Sequence, residues 1–538
     1  MHKLFCWSCL WFCLLAPLRA QSLGSTGTIE GAVVDQTGAS VPNAMVTILN
    51  RISDYRQSVL TDSSGMFRLT NVPPNPYHLE ATAANFGRVQ QDVSVRTNLP
   101  IAVKLTLPVA GGTTSVTVEG GAGDVIENVP YQHTDVDQAL YSKLPTYSPG
   151  SSLSDAIIFS APGVVADSNG FFHPLGDHAQ TSYVIDGQPI NDQQSKAFST
   201  QIPLNAIQSM EIVTGMPSAD YGDKTSLIVN ATTRSGLNQK TSGSFLARYG
   251  SFGTYGEEAT FGVGNAHFGN FLVANTIRSG RFLDTPEFYP VHDIGNNGSI
   301  FDRFDWQPSG TDSFHLDLFA ARNWFQVPNQ YDQAGQDQRQ RVLSFNIAPG
   351  YQHTFGPHTL LTINPFVRKD QVNYYPSGDP TLDTPATLSQ SRQLLNYGLK
   401  ADLAYVKGRH SLKFGTQLMQ TRLRESFSLG ITDPTFNPVC VDASGNPAGP
   451  ASLTNPDQCG EAQAVANPNL IAGLVPYDLS RGGSPFLFNA RGHVNQYAFY
   501  VTDTISFGNL TLFPGLRFDQ YNGPASDHAL QPDRKSVV

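Results

Sequence analysis

Two hydrophobic rhythms divide the chain. After residue 240, apolar and polar side chains alternate at period two over long stretches, the signature of half-buried strands. In Phe245-Leu246-Ala247-Arg248-Tyr249, Phe and Tyr share one side and Arg lies on the other. Phe314, Leu316 and Leu318 share a face against His315 and Asp317. Leu412, Phe414 and Leu418 flank Lys413 and Gln417, and Leu510, Leu512, Leu516 and Phe518 oppose Thr511, Arg517 and Asp519. A charge between apolar neighbours at period two suits a wall with lipid outside and water inside. A soluble sandwich shows the same alternation. The polar run Gly295-Asn296-Asn297-Gly298 reads as a turn, and the last strand is expected near Leu510 to Tyr521, followed by mostly polar residues.

Before residue 240 the strands are short and β-branched. Thr28 to Asp35, Val46 to Leu49, Phe67 to Leu69, Tyr77 to Ala81, Val93 to Val95 and Ala102 to Leu105 read as strands separated by turn signals. That spacing predicts a sandwich. Residues 109–130 form a Gly-rich linker around Thr113-Thr114-Ser115-Val116-Thr117-Val118-Glu119. Ser151 to Phe159 places Leu153, Ala156 and Ile157 on one helical face, and Pro162-Gly163 ends it. Tyr183-Val184-Ile185 is a short strand, Asp186-Gly187 a turn dipeptide, and Ile202 to Ile207 suits a helical turn. Met210 to Val213 and Leu227 to Ala231 are further strands.

The ordered phrases in this region carry a resemblance. Ile185-Asp186-Gly187 comes first, then Met210-Glu211-Ile212-Val213-Thr214-Gly215 with Pro217, Ala219, Tyr221 and Gly222, then Asn230, Thr233, Ser235 and Gly236. They resemble the plug domain of TonB-dependent outer-membrane receptors. One departure is Thr225-Ser226, where many family members carry a Gly-Gly pair. Upstream, G-x-V-x-D-x-x-G and T-D-x-x-G-x-F-x-L-x-x-V-P-P resemble the carboxypeptidase-regulatory-like, immunoglobulin-type module. That name implies no peptidase: none of the 13 histidines has Glu three residues later.

The resemblance implies a mainly β fold: an N-terminal β-sandwich, a small α/β plug domain and the N-terminal part of a transmembrane antiparallel β-barrel. The expected divisions are a signal peptide over 1–20, the sandwich over 25–108, the linker over 109–130, the plug over 131–238 and an incomplete barrel over 239–538. Ser115, Val116, Thr117, Val118 and Glu119 loosely resemble the TonB box, which adds as a strand to a periplasmic energy-coupling protein; a plain linker fits the same residues. Asp186, Gly187, Glu211, Thr214, Gly215, Tyr221, Gly222, Asp223 and Arg234 carry the plug motif in a structural or gating role. The resemblance places the long polar loops Tyr375 to Leu388 and Ile431 to Pro485 outside the cell.

Composition narrows the picture. Lys3 precedes an apolar run from Leu4 to Leu18, with Ala20 as a cleavage point, which is the pattern of a secretory signal peptide. Removing Lys3 and Arg19 with it leaves 32 Lys and Arg against 44 Asp and Glu, a net charge near −12. That argues against a nucleic-acid partner, which needs a basic face. Cys440 and Cys459 alone survive processing, and a disulfide is expected in an exported protein. His173, Asp177 and His178 form a polar cluster that suits metal ligation weakly; backbone bonding accounts for it equally. The sequence holds no Gly-x-Ser-x-Gly, His-Glu-x-x-His or Gly-x4-Gly-Lys-Ser/Thr, so no enzyme and no cofactor is expected.

The resemblance implies a receptor in the outer membrane of a Gram-negative cell, with its sandwich and linker periplasmic. Its partners would be a TonB-type energy-coupling protein, outer-membrane lipid and an extracellular small ligand or oligosaccharide. An adhesion or surface-organising protein of the same architecture is the alternative. Barrels of this family have about 22 strands, and the residues after the plug supply roughly half, so the chain reads as a fragment.

Overall fold

The computed structural model describes residues 27–537, apart from 51–54, 74, 96–99, 110–130, 147, 167–171, 177–180, 191–198, 223–225 and 508–509. The TonB-box candidates Ser115 to Glu119 therefore lie outside the described residues, as do Asp177, His178 and Asp223.

The first unit is a two-sheet sandwich. One sheet has the order β4-β1-β7, from Met66–Val72, Gly27–Asp35 and Ile101–Leu107, with β1 and β7 parallel. The other has the order β3-β2-β5-β6, from Arg56–Leu60, Met45–Leu49, Asn75–Thr82 and Val89–Val95. Alternate side chains of both sheets, among them Ile29, Val46, Ile48, Leu69, Leu79 and Leu105, fill the space between them. The strand Arg56–Leu60 has only two apolar residues and lies at a sheet edge, which is why the hydrophobic pattern passes over it.

The second unit is a mixed five-stranded sheet of order β12-β11-β14-β13-β8. Its strands are β8 (Gln132–Asp137), β11 (Thr181–Ile185), β12 (Gln188–Ile190), β13 (Ile207–Gly215) and β14 (Leu227–Thr233), and a small pair β9 (Val164–Ala166) and β10 (Phe172–Pro174) lies beside it. Helix α1 (Gln138–Tyr141) is capped by the Asp137 carboxylate, and α2 (Ser152–Ser160) buries Leu153, Ala156 and Ile157. Only Leu204–Ala206 of the expected helical turn is helical, as a 3-10 turn; Pro203 before it is extended, and Ile207 already belongs to β13.

The third unit is a 12-stranded antiparallel meander. It contains β15 (Ser242–Gly250), β16 (Thr254–Gly264), β17 (Phe268–Ser279), β18 (Gly295–Trp306), β19 (Asp312–Gln326), β20 (Arg339–Thr354) and β21 (Thr359–Tyr375). After these come β22 (Ala386–Lys407), β23 (His410–Ile431), β26 (Phe486–Phe507), β27 (Leu510–Asn522) and β28 (Ser526–Val537). The short pair β24 (Cys440–Val441) and β25 (Val465–Ala466) sits in the loop between β23 and β26. Short turns join the strands at one end, and at the other four of the six connections are loops of ten or more residues, the asymmetry of outer-membrane barrels. Two expectations change here. Gly295 to Gly298 is not a turn but the start of β18, and Asn297 is buried and bonded to Asn323. The strand Leu510–Asn522 is not the last: the polar residues after it form β28, paired along its length.

The meander has two chemically distinct faces. One packs on the five-stranded sheet and carries Arg303, Asp305, Asn346, Asn364, Arg368 and Lys413. The other carries exposed Ile300, Phe304, Phe345, Val367, Phe414 and Phe499. At the short-turn end of the outer face, Phe268, Trp306, Phe314 and Tyr351 stack in series, with ring centroids 6.4, 5.1 and 4.6 Å apart. Barrels that span membranes carry such aromatic rows at the edges of their apolar bands. No described helix is long and apolar enough to cross a membrane.

Candidate functional site

The site is the contact between the five-stranded unit and the inner face of the meander. It is built from the hairpin β11–β12. Its turn needs two residues with positive φ, and Asp186 (φ 47°) and Gly187 (φ 86°) supply them. Asp and Gly tolerate that region where branched residues do not. The turn projects the Asp186 carboxylate towards the wall. It accepts from the Thr233 hydroxyl at 2.5 Å and from the Thr233 backbone N–H, and it stands 3.1 Å from Arg303 Nη1. Arg303 Nε also donates to Asp305 at 2.9 Å, and the Ser235 hydroxyl donates to the same carboxylate at 2.6 Å.

Three more contacts surround this one. Gln188 and Asn346 exchange amide hydrogen bonds of 2.7 and 2.8 Å. Gly187 lies so close to Asn364 that a Cβ there would be 2.2 Å from its Nδ2. Arg368, held by Asp370 at 2.7 and 2.9 Å, donates to the Thr200 carbonyl at 3.4 Å.

The motif's second half reaches the far side of the wall. Lys413 Nζ is 2.6 Å from the Asp220 carboxylate, and Arg517 donates to the Asp220 carbonyl at 3.3 Å. Lys400 lies over the Tyr221 ring, 5.7 Å from its centroid, and a Cβ on Gly222 would meet Arg517 at 2.2 Å. Burial pushes the Asp220 carboxyl up, but Lys413 and Lys400 outweigh it and hold the group well below the usual carboxylate range. Thr214 is buried and Gly215 closes β13 where its register with β8 shifts; both shape the sheet without touching the wall in any described contact. Arg234 stacks over Phe271 of the wall at 4.1 Å.

The two sides of the contact differ in kind. Against β17–β19 an apolar core surrounds the polar pairs of β18: Phe271, Val273, Phe301, Phe319 and Ala321 join Ile185, Leu204, Ile207 and Leu227, beside the Arg303–Asp186 and Asp305–Ser235 contacts. Against β20–β27 no described wall residue joins that core, and the contacts are the polar ones of Asn346, Arg368, Lys400, Lys413 and Arg517. Sequence reasoning names the motif side chains; the polar wall residues that receive them lie far along the chain, 70 positions for Ser235–Asp305 and 158 for Gln188–Asn346, and read only as a polar strand face.

Glu211 takes a different place. It lies opposite Asp135 on β8, accepts from Tyr131 at 3.0 Å, and comes together with His133 and Asp135. This is the one group of three among the described residues whose ligand atoms could share a cation, all within 4.8 Å of one another. His173 sits half-buried on β10. Cys440 and Cys459 are joined, with Sγ atoms 2.09 Å apart, in the long loop after β23.

Comparison with known proteins agrees with this architecture. Residues 28–108 match the carboxypeptidase regulatory-like domain, and residues 124–226 match the TonB-dependent receptor plug domain. The TonB-dependent transporter Oar of Myxococcus xanthus is 26% identical over 226 residues, covering 40% of this chain and 21% of that protein. The ferric citrate transporter FecA superposes with a TM-score of 0.53 at 15% identity, over 77% of this chain and 60% of that one. The pyoverdine-bound receptor FpvA of P. aeruginosa gives 0.54 at 12% identity, over 76% and 54%. The chain thus has the architecture of a TonB-dependent receptor, with a carboxypeptidase regulatory-like domain ahead of its plug. Its homologue Oar is a transporter, and the chain spans about a fifth of that protein's length and about 60% of FecA's.

Proposed function

We propose that this protein is an outer-membrane receptor and transporter. It binds a scarce solute or oligosaccharide outside the cell and admits it when the plug is displaced. The energy comes from a TonB-type coupling protein in the periplasm, which pairs with the linker at Ser115 to Glu119 by β-strand addition. No bond of the ligand is made or broken. The observation that carries the reading is the asymmetric seat of the plug. Opening the β17–β19 side exposes the shared apolar core and breaks the buried Asp186–Arg303 pair. The described β20–β27 side lacks such a core, and its polar contacts can exchange for water at small net cost. A pull on the linker would therefore release the polar side first and open a path there.

The test is Val116→Pro, which removes the backbone donor a strand addition needs. Loss of both pairing with the periplasmic domain of the coupling protein and ligand-dependent growth supports transport. Unchanged growth, with surface attachment still requiring the protein, supports an adhesive role instead.

A further inference from the structure

The outer face of the meander carries a basic cluster that the transport reading does not use. The apolar band can be located on β22, where outward residues run Tyr397, Leu399, Ala401, Leu403, Tyr405. Two tyrosines eight residues apart on a strand tilted about 40° bracket about 21 Å of height, close to the apolar band of such barrels. The next outward positions towards the long-loop end change character at once. Lys369, Leu395, Arg422 and His493 lie in one row across β21, β22, β23 and β26, and Gln371, Gln393, Arg424 and Arg491 form the next. All of these but Gln371 line a shallow groove of about 690 Å³.

Three features make this more than a solvated face. Arg424 and Arg491, two guanidinium cations, are directly opposite across β23–β26. Like charges directly opposite on a sheet repel. No outward position on these four strands above Tyr397 is acidic, and Glu425 points inward to Gln390 and Arg392. Arg422 is anchored at the band's edge: its guanidinium lies 5.2 Å from the Tyr397 ring centroid, and its Nε donates to Gln420 at 2.8 Å. Repelling cations at the height of the lipid headgroups call for an anion on the lipid side.

We infer that Lys369, Arg422, Arg424, Arg491 and His493 bind the phosphate groups of a phosphorylated lipid of the outer leaflet. The inference rests on the outer-membrane reading above. Phosphate oxygens accept bidentate bonds from paired guanidinium groups, while the acyl chains lie along Leu395, Leu399 and Leu418.

The test uses the full-length protein in neutral detergent, followed by native mass spectrometry. Bis-phosphorylated lipid A is titrated against the same lipid stripped of phosphate and against inorganic phosphate. Arg424→Gln with Arg491→Gln is expected to lower retention of the phosphorylated lipid roughly 30-fold. The double Lys variant should retain most of it. Lipid-free, the Gln variant should unfold no earlier than wild type, because it removes a repulsive pair. Equal binding of the dephosphorylated lipid, inorganic phosphate binding as tightly as the lipid, or an unaffected Gln variant would overturn the inference. Membrane fractionation separates the two claims. Absence from the outer membrane removes the transport reading and this inference with it; presence there without phosphate-dependent lipid removes this inference alone.

Discussion

The Asp186 carboxylate of the plug and the Arg303 guanidinium of the barrel wall stand 3.1 Å apart, each side chain 1% exposed. A buried pair of this kind adds little over an apolar contact but is costly to break from one side. Asp186→Asn keeps the positive φ and an acceptor for Thr233 and loses only the charge; Asp186→Ala loses all three. The Ala variant should cost about 3–5 kcal/mol and the Asn variant less. Protease release of the plug in detergent, followed against denaturant, orders the two.

Gly187 tests the close approach to the wall. Gly187→Ala places a methyl group on Asn364 and forces alanine to a φ of 86°. The plug should loosen by more than about 1 kcal/mol. Adding Asn364→Ala should recover the steric part and leave the backbone part, which the same protease assay resolves as partial rescue.

Asp220 sets the pH response of the far side. Its folded carboxyl is held below the ordinary value, with Lys413 and Lys400 outweighing burial. A depressed carboxylate contributes stability that is full above the unfolded pKa near 4 and is lost only as pH falls through the lower folded value. Plug seating should therefore be unchanged between about pH 7 and pH 5. Asp220→Asn should weaken it throughout that window. A plug that loosens between those two pH values in wild type would contradict the assignment.

The disulfide Cys440–Cys459 closes a loop between residues 19 positions apart. Loop-closure entropy makes such a link worth about 3 kcal/mol to the segment it closes. Cys440→Ser with Cys459→Ser should expose the 432–485 loop to protease while β23 and β26 stay protected, as peptide mapping would show.

Much of this fold is legible because its signals are local. The Asp186-Gly187 turn, helix α2 and the period-two strands each announce themselves within a few residues. The rest depends on distant partners. Arg303, Asn346 and Lys413 read as an ordinary polar face until the plug is set against them. Asn297 belongs to a strand because Asn323 receives it, although its neighbours have turn chemistry. The strand Ser526–Val537 has few apolar residues and is defined by pairing with β27 rather than by propensity. The basic rows are similarly invisible in sequence, since Arg424 and Arg491 meet only through the β23–β26 register.

The most direct test of plug release uses Gln188, which is 2% exposed between plug and wall. Gln188→Cys is treated with a membrane-impermeant maleimide in energised cells and in cells lacking the energy-coupling protein. Release of the polar side predicts rapid labelling in the first and slow labelling in the second, with Val116→Pro matching the slow case. Equal rates in all three would contradict coupling-driven displacement of the plug.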